Sequence, residues 1–337
     1  MRVKINEIRK KCEQILIKSG VSSKATKIIF SDYLEGELLN KKSHGLSAFV
    51  NGVYDIERIL ESSKTEKIKI TKDDAVFTLI DGQGQAGQLV AEMARKILIK
   101  KAKKFGIAMV GTYNTRAILR PGSQAEALAK HDLIALIFHN GGGPLVAPYG
   151  GIDPIISTDP IGFAVPTTGL PIVADMATSV RAYREIQLAK LLNKKLPNDA
   201  FINKKGEVTL NPDDAFAALP FGGYKGFALG ILFEILTGPL VNSGFGLKNN
   251  SKDGKWKYRG ALYLAIDPSK FVNLNKFKRE NTALIKELKN SKKMAKYQEI
   301  LIPGERAYRC KAKCLKQGWF DVDKTIIEKI NKIYSEL

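Results

Sequence analysis

A chain of 337 residues, 44% of them hydrophobic, is long enough for one large domain or two modest ones and has the balance of a globular protein. It contains no run near the roughly 18 uninterrupted apolar residues of a membrane span, and its start, MRVKINEIRKKCEQIL, lacks the apolar stretch and cleavage site of a signal peptide, which points to the cytoplasm. The formal net charge of +20 raises nucleic acid as a partner, but the lysines are scattered over helix faces and loops without aromatic interleaving, so a solvated lysine-rich surface is the stronger reading.

In chain order, the first 65 or so residues read as helices. Ile5, Ile8, Cys12, Ile15 and Leu16 recur at helical spacing, as do Ile28, Ile29, Tyr33, Leu34, Leu38 and Leu39. A third pattern runs from Leu46 to Leu60. From about Lys67 short β-rich runs take over (AVFTLI, IAMVGT, LIALIF, GFAVPT, PIVADM), separated by helical segments such as Val90–Lys104 and Ser123–Lys130. This alternation predicts an α/β or α+β fold. Glycine and proline cluster between Gly141 and Pro171, marking turns near strand ends. YKGFALGILFEILTGPL predicts a buried apolar helix ending at Gly238-Pro239, and Ala261–Ile266 one more strand. The tail is helical and basic over Lys276–Lys296 and Lys324–Tyr334, interrupted by ILIPGERAYR. Helical ends around an α/β middle predict a lobe made from both termini: residues 1–70 and 268–337 flank an α/β domain at 71–267. Cys12 is isolated, and Cys310 and Cys314 have no second Cys or His cluster nearby, so no metal site is expected.

The stretch Gly82-Gln83-Gly84-Gln85-Ala86-Gly87 matches the G-x-G-x-x-G dinucleotide fingerprint between a strand and a helix. That motif also calls for an acidic residue about 20 positions on, at the end of the next strand. The next strand ends in Gly111, Thr112 and Tyr113, with no carboxylate for a ribose hydroxyl. The competing reading is a tight strand-to-helix turn that needs glycine for its dihedrals.

Seven segments occur together in order: KKSHGLSAFV, DGQGQAGQLVAEMA, VAPYGG, STDPIGFAVP, IVADMATS, PFGGYKGFALGILFEILTGPL and IPGER. On these the chain resembles the malate/L-lactate dehydrogenase family, whose members include sulfolactate and ureidoglycolate dehydrogenases, diketogulonate reductase and piperideine-2-carboxylate reductase. The resemblance covers about residues 5 to 335, and DMATS and PFGGYKG are its most specific parts. It implies a non-Rossmann nicotinamide-binding fold with a mixed sheet, an NAD or NADP cofactor and a homodimer. On this reading the glycine stretch is a framework turn and the dinucleotide is held elsewhere.

Hydride transfer to a carbonyl or imine needs a proton donor near the nascent oxygen or nitrogen and polar groups for the substrate carboxylate. His44 suits the first task, with an unperturbed pKa near neutrality; SHG also reads as a helix terminus whose histidine bonds backbone. The resemblance implies a Ser43–His44 relay completed by an acid near Glu185. It implies cofactor contacts from Asp175, Met176, Ala177 and Thr178, from Lys225, and from Gly304, Glu305 and Arg306. Thr158 stands where the family has a substrate-contacting threonine, although the usual Asn after it is Asp159 here. His139 is a further candidate for the same cleft, while His131 reads as solvent-facing.

Two departures stand out. The family's S-H-G-x-x-R arginine, which binds the substrate carboxylate, is Ala48 here, and a second family histidine aligns with Ala117. Arg116 and Arg120 are then candidates for the missing cation, since an arginine fork suits a carboxylate; exposed loop arginines are the competing reading. The function expected is reversible, NAD(P)-dependent reduction of a 2-oxo acid or cyclic imino acid. A family member diverted from catalysis into cofactor binding or assembly is the alternative.

Overall fold

The computed structural model describes residues 1–51, 67–249 and 259–337. The helix expected over Leu46–Leu60 is present as Leu46–Asn51, and its remainder lies outside the described residues.

Among the described residues there are ten α-helices, α1 Ile5–Lys18, α2 Ser23–Leu38, α3 Leu46–Asn51, α4 Gly87–Phe105, α5 Pro121–Ala129, α6 Arg184–Leu192, α7 Tyr224–Thr237, α8 Leu274–Asn290, α9 Glu305–Gln317 and α10 Lys324–Ser335. The strands are β1 Arg2–Lys4, β2 Lys69–Asp73, β3 Phe77–Asp81, β4 Ile107–Thr115, β5 Ile134–His139, β6 Ile161–Val165, β7 Ile172–Met176, β8 Phe201–Ile202, β9 Ala217–Ala218, β10 Arg259–Ile266 and β11 Trp319–Asp321. One seven-stranded sheet runs in the order β2-β3-β4-β10-β5-β6-β7. Only β3 and β4 pair in parallel, so the sheet is mixed, as expected.

The sheet's alternation is visible in β5, where Ala135 and Ile137 face the core and their neighbours are half-exposed. They pack with Val90, Ala94 and Leu98 of α4 and Ala125 and Leu128 of α5. Burying such side chains contributes about 1.5–3 kcal/mol for each large one. The edge strand β2, KITKD, is exposed along its whole length, so it carries no alternation to read; its lysines blunt the edge against further pairing.

The two chain ends form one lobe. β1 pairs antiparallel with β11, Val3 opposite Phe320. Ile8, Cys12, Ile15 and Leu16 share a core with Phe30, Tyr33 and Leu34, with Cys314 of α9 and with Ile326, Ile327 and Ile330 of α10. ILIPGERAYR therefore contains the start of α9 as well as a break, because Gly304 turns the chain with φ of 91°. Helix α8 buries none of its residues and is tied to the β6–β7 hairpin by Asn281 Nδ2 on Pro166 O at 3.0 Å and by the Thr168–Thr282 hydroxyl contact at 2.9 Å.

The glycine stretch is the turn between β3 and α4, and its backbone donors are spent on the end of β4. Gly82 N donates to Tyr113 O at 2.8 Å and Gly84 N to Asn114 O at 2.7 Å. A Cβ on Gly87 would stand 2.4 Å from Arg116 O. The turn serves close packing of strand and helix, and its N–H groups do not converge on an open cradle.

Candidate active site

A cavity of about 410 Å³ opens where the helical lobe meets the ends of β6 and β7. Its wall contains Ser43 and His44 from the turn after α2, Arg120 at the start of α5, Thr158 before β6, Asp175–Ala177 at the end of β7, and Glu185 in α6. Sequence positions more than a hundred apart thus converge because β6 and β7 are a hairpin, Ile161 opposite Met176, beside which α5 packs. Asp175 leans on Gly122 so closely that a Cβ there would stand 2.6 Å from the Asp175 Cβ.

Ser43 Oγ lies 3.0 Å from His44 Nδ1, and Nε2 has no partner among the described residues. The ring is half-buried by its own surface yet densely surrounded. Burial, then Arg184, Arg120, Lys41 and Arg259, hold its pKa down at about 3, so the imidazole is neutral at pH 7. Glu185 is pushed the other way, above the usual carboxylate range, by burial against the pull of Arg181 and Lys41. Burial likewise raises Asp175, opposed by Arg120 and Lys41.

The expected residues divide into three groups. His44, Ser43, Glu185, Thr158, Arg120, Asp175, Met176 and Ala177 line one cavity. A neighbouring groove of about 340 Å³ shares Lys41, Arg120, Asp175 and Met176 with it and adds Gly304 and Arg306. The others lie elsewhere in the single chain. Thr178 is buried, with its N–H and hydroxyl both donating to Thr158 O, at 2.9 and 3.0 Å. Lys225 is exposed in the first turn of α7. The Glu305 carboxylate is taken by Lys289, Arg309 and the Ile302 N–H, which bring its pKa down to about 2. Arg116 donates from Nε to Gly84 O at 3.3 Å, within the glycine turn, and is not on the cavity wall.

Arg120 reaches the cavity with its guanidinium already engaged: Nη2 donates to Asp32 Oδ1 at 2.8 Å. His139, expected near the cleft, is 2% exposed and off the cavity wall, with neither ring nitrogen bonded. Burial and Arg259 bring its pKa down to about 3. Ala48 packs in the core of the helical lobe, and His131 is exposed as expected. Lys41 and Arg181 were missed; both line the cavity, and both flank motif segments, KSHG and DMATS. Cations directly beside two motif segments are a legible signal for an anionic ligand.

The residues present fit a nicotinamide dinucleotide. The paired cavities offer the Asp175 carboxyl toward hydroxyls, Arg306 toward phosphates, and a half-exposed apolar Met176.

The family model described as malate/L-lactate dehydrogenase matches residues 3–331. The chain is 35% identical to malate/(S)-sulfolactate dehydrogenase of Methanothermus fervidus, over 96% of this chain and 94% of that one. It is 27% identical to a Delta(1)-pyrroline-2-carboxylate/Delta(1)-piperideine-2-carboxylate reductase of Pseudomonas putida, over 92% of this chain and 90% of that one. The structure of sulfolactate dehydrogenase from Methanocaldococcus jannaschii superposes with a TM-score of 0.87 at 30% identity, covering 100% of this chain and 97% of that one. The family match and these relatives therefore define an NAD(P)-dependent oxidoreductase acting on a small-molecule substrate. The chain belongs to the malate/L-lactate dehydrogenase family.

Proposed function

We propose that the protein interconverts a 2-oxo acid, or a cyclic imino acid, and the reduced 2-hydroxy or amino acid, with His44 exchanging the proton. The observation that carries this reading is His44 beside Ser43 in a cavity whose other walls are Lys41, Arg181 and the Asp175–Ala177 segment. When bound, the nicotinamide supplies the hydride donor or acceptor. Asp175, Met176, Ala177, Gly304 and Arg306 hold it, running from cavity to groove. Lys41 and Arg181 take the substrate carboxylate in place of the arginine absent at Ala48, and Thr158 bonds the same end. In oxidation the neutral His44 accepts the hydroxyl proton; in reduction it returns one, with Ser43 fixing the ring through Nδ1.

The surface of α7 supports a homodimer. The helix was expected to be buried, but in the single chain Leu229, Ile231, Leu232 and Ile235 are exposed, as are Leu240 and Leu247 farther along the chain. The segment Tyr224–Val241 is also long and apolar enough, by composition, to cross a membrane. Its Glu234 and Thr237 are buried in this fold, which favours a second copy as the cover.

The test is a titration with NADH and NADPH separately, followed by a panel of 2-oxo acids and cyclic imines. Nucleotide fluorescence is expected to change on binding, and His44→Ala to abolish turnover while binding persists. Nucleotide binding with no turnover anywhere on the panel supports the diverted family member instead.

A further inference from the structure

Behind Thr158 lies a buried cluster that the proposed chemistry does not use. Asp159, where the family resemblance leads one to expect Asn, is fully buried with φ of 29°, on the left-handed side of the backbone map. Neither of its carboxyl oxygens has a regular hydrogen-bond donor. Its neighbours are the Gly141 N–H, its own N–H and the carboxyl of Glu234. Glu234, in α7, is 6% exposed and well supplied: it accepts from Ser157 N at 2.9 Å, Asn140 Nδ2 at 3.1 Å and Gly246 N at 3.3 Å. Neither acid takes part in an ion pair among the described residues.

Two buried carboxyls that face each other without a cation cannot both be charged, and they bond only if one carries a proton. Glu234, with three donors, is the anion, so the proton sits on Asp159. The cluster also bears on the cavity. Through Ser157 N and Asn140, Glu234 ties α7 to both sides of Thr158. A Cβ on Gly141 would stand 2.4 Å from the Thr158 hydroxyl, so the 140–142 turn packs directly against Thr158.

We propose that Asp159 and Glu234 share one proton in a carboxyl pair that fixes Thr158 at the cavity wall, making Asp159 a positioning residue for the substrate. The proposal rests on the cavity being the active site. The charged and titratable groups around the pair are few. Helix α7 brings only Glu234, β5 brings His139, and Arg259 of β10 acts on that histidine. The adjoining turns bring the uncharged Asn140 and Asn249, with Asn249 Nδ2 donating to Asn140 Oδ1 at 3.3 Å.

The test compares wild type with Asp159→Asn, Asp159→Ser and Glu234→Gln, reading thermal stability from about pH 4 up to about pH 9 together with KM and kcat. Asparagine keeps a donor toward Glu234 without a titrating proton. It is expected to hold KM within about three-fold and to flatten the alkaline loss of stability shown by wild type. Serine is too short to reach and is expected to raise KM by about ten-fold with a smaller change in kcat. Glu234→Gln, which presents donors to donors, is expected to damage both constants more than Asp159→Asn. An alkaline stability loss unchanged in Asp159→Asn, or an unchanged KM in Asp159→Ser, overturns the proposal. If wild type turns over nothing on the panel, the reading of the cavity has failed, while the stability comparison still decides the shared proton.

Discussion

Arg120 and Asp32 form a buried ion pair, Nη2 to Oδ1 at 2.8 Å, with side chains 4% and 7% exposed. It joins α2 of the helical lobe to the cavity wall at the start of α5. Ser123 Oγ lies 3.2 Å from the same Asp32 oxygen, while Asp32 Oδ2 and Arg120 Nε are buried without partners. Burial raises the Asp32 pKa, and Arg120 opposes that.

Removing one partner leaves the other largely buried and without its counter-charge. Asp32→Asn and Arg120→Met are each expected to cost about 3–5 kcal/mol in denaturant unfolding, and the double variant clearly less than the sum. Since Arg120 also acts on Asp175, Arg120→Met is expected to weaken nucleotide binding as well. Additive losses would show that the two groups do not act as a pair.

The glycine turn yields an expectation opposite to that of a phosphate cradle. Gly87→Ala places a Cβ 2.4 Å from Arg116 O and 2.5 Å from Ala117 C, both backbone atoms that cannot swing away. The expected result is a stability loss of about 1–3 kcal/mol with nucleotide affinity unchanged in the folded fraction. A selective loss of affinity at constant stability would instead place the dinucleotide at this turn.

How much of this was legible depends on what each residue faces. LIALIF and ALYLAI read as strands because their cores alternate or are apolar throughout, and β5 and β10 lie side by side at Ala135 and Ala265. The edge strand KITKD was silent because nothing covers it. His44 follows a serine and His139 a phenylalanine, and only the tertiary fold turns one into the cavity and the other into the interior. Asp32 carried a signal that went unread: an acid among Ile29, Phe30, Tyr33 and Leu34 on a core-facing helix demands a buried cation. Arg120 was noticed for its charge, but its partner sits 88 positions away, a distance no local pattern bridges.

Helix α7 was expected to be buried, and in the single chain Leu229, Ile231, Leu232 and Ile235 of its apolar face are exposed. If a second copy supplies the cover, Ile231→Glu and Leu232→Lys, both near half-exposed, are expected to halve the mass measured by light scattering. Thermal stability is expected to become independent of protein concentration in these variants. A wild-type protein that is already monomeric at micromolar concentration contradicts the dimer.

The last expectation concerns His44, whose pKa of about 3 lies far below the 6.5 of a free imidazole. A base whose pKa falls on folding binds its proton better in the unfolded chain, so stability is fully present above about pH 6.5 and is lost as pH drops toward 3. His139 contributes in the same sense. His44→Ala is therefore expected to show a shallower acid limb in unfolding experiments, by up to about 1.4 kcal/mol per pH unit. The causes of the shift after burial are cationic, and Lys41 also borders the cavity. An anion seated against Lys41 and Arg181 offsets that repulsion and raises the His44 pKa. NMR of the ring in the free protein is expected to show a neutral imidazole from about pH 5 upward, and saturation with malonate, an unreactive dicarboxylate, to bring its titration back toward neutrality. Such coupling would ready the proton when the proposed substrate's carboxylate arrives. An unchanged titration with malonate bound would mean that the anion does not sit beside His44.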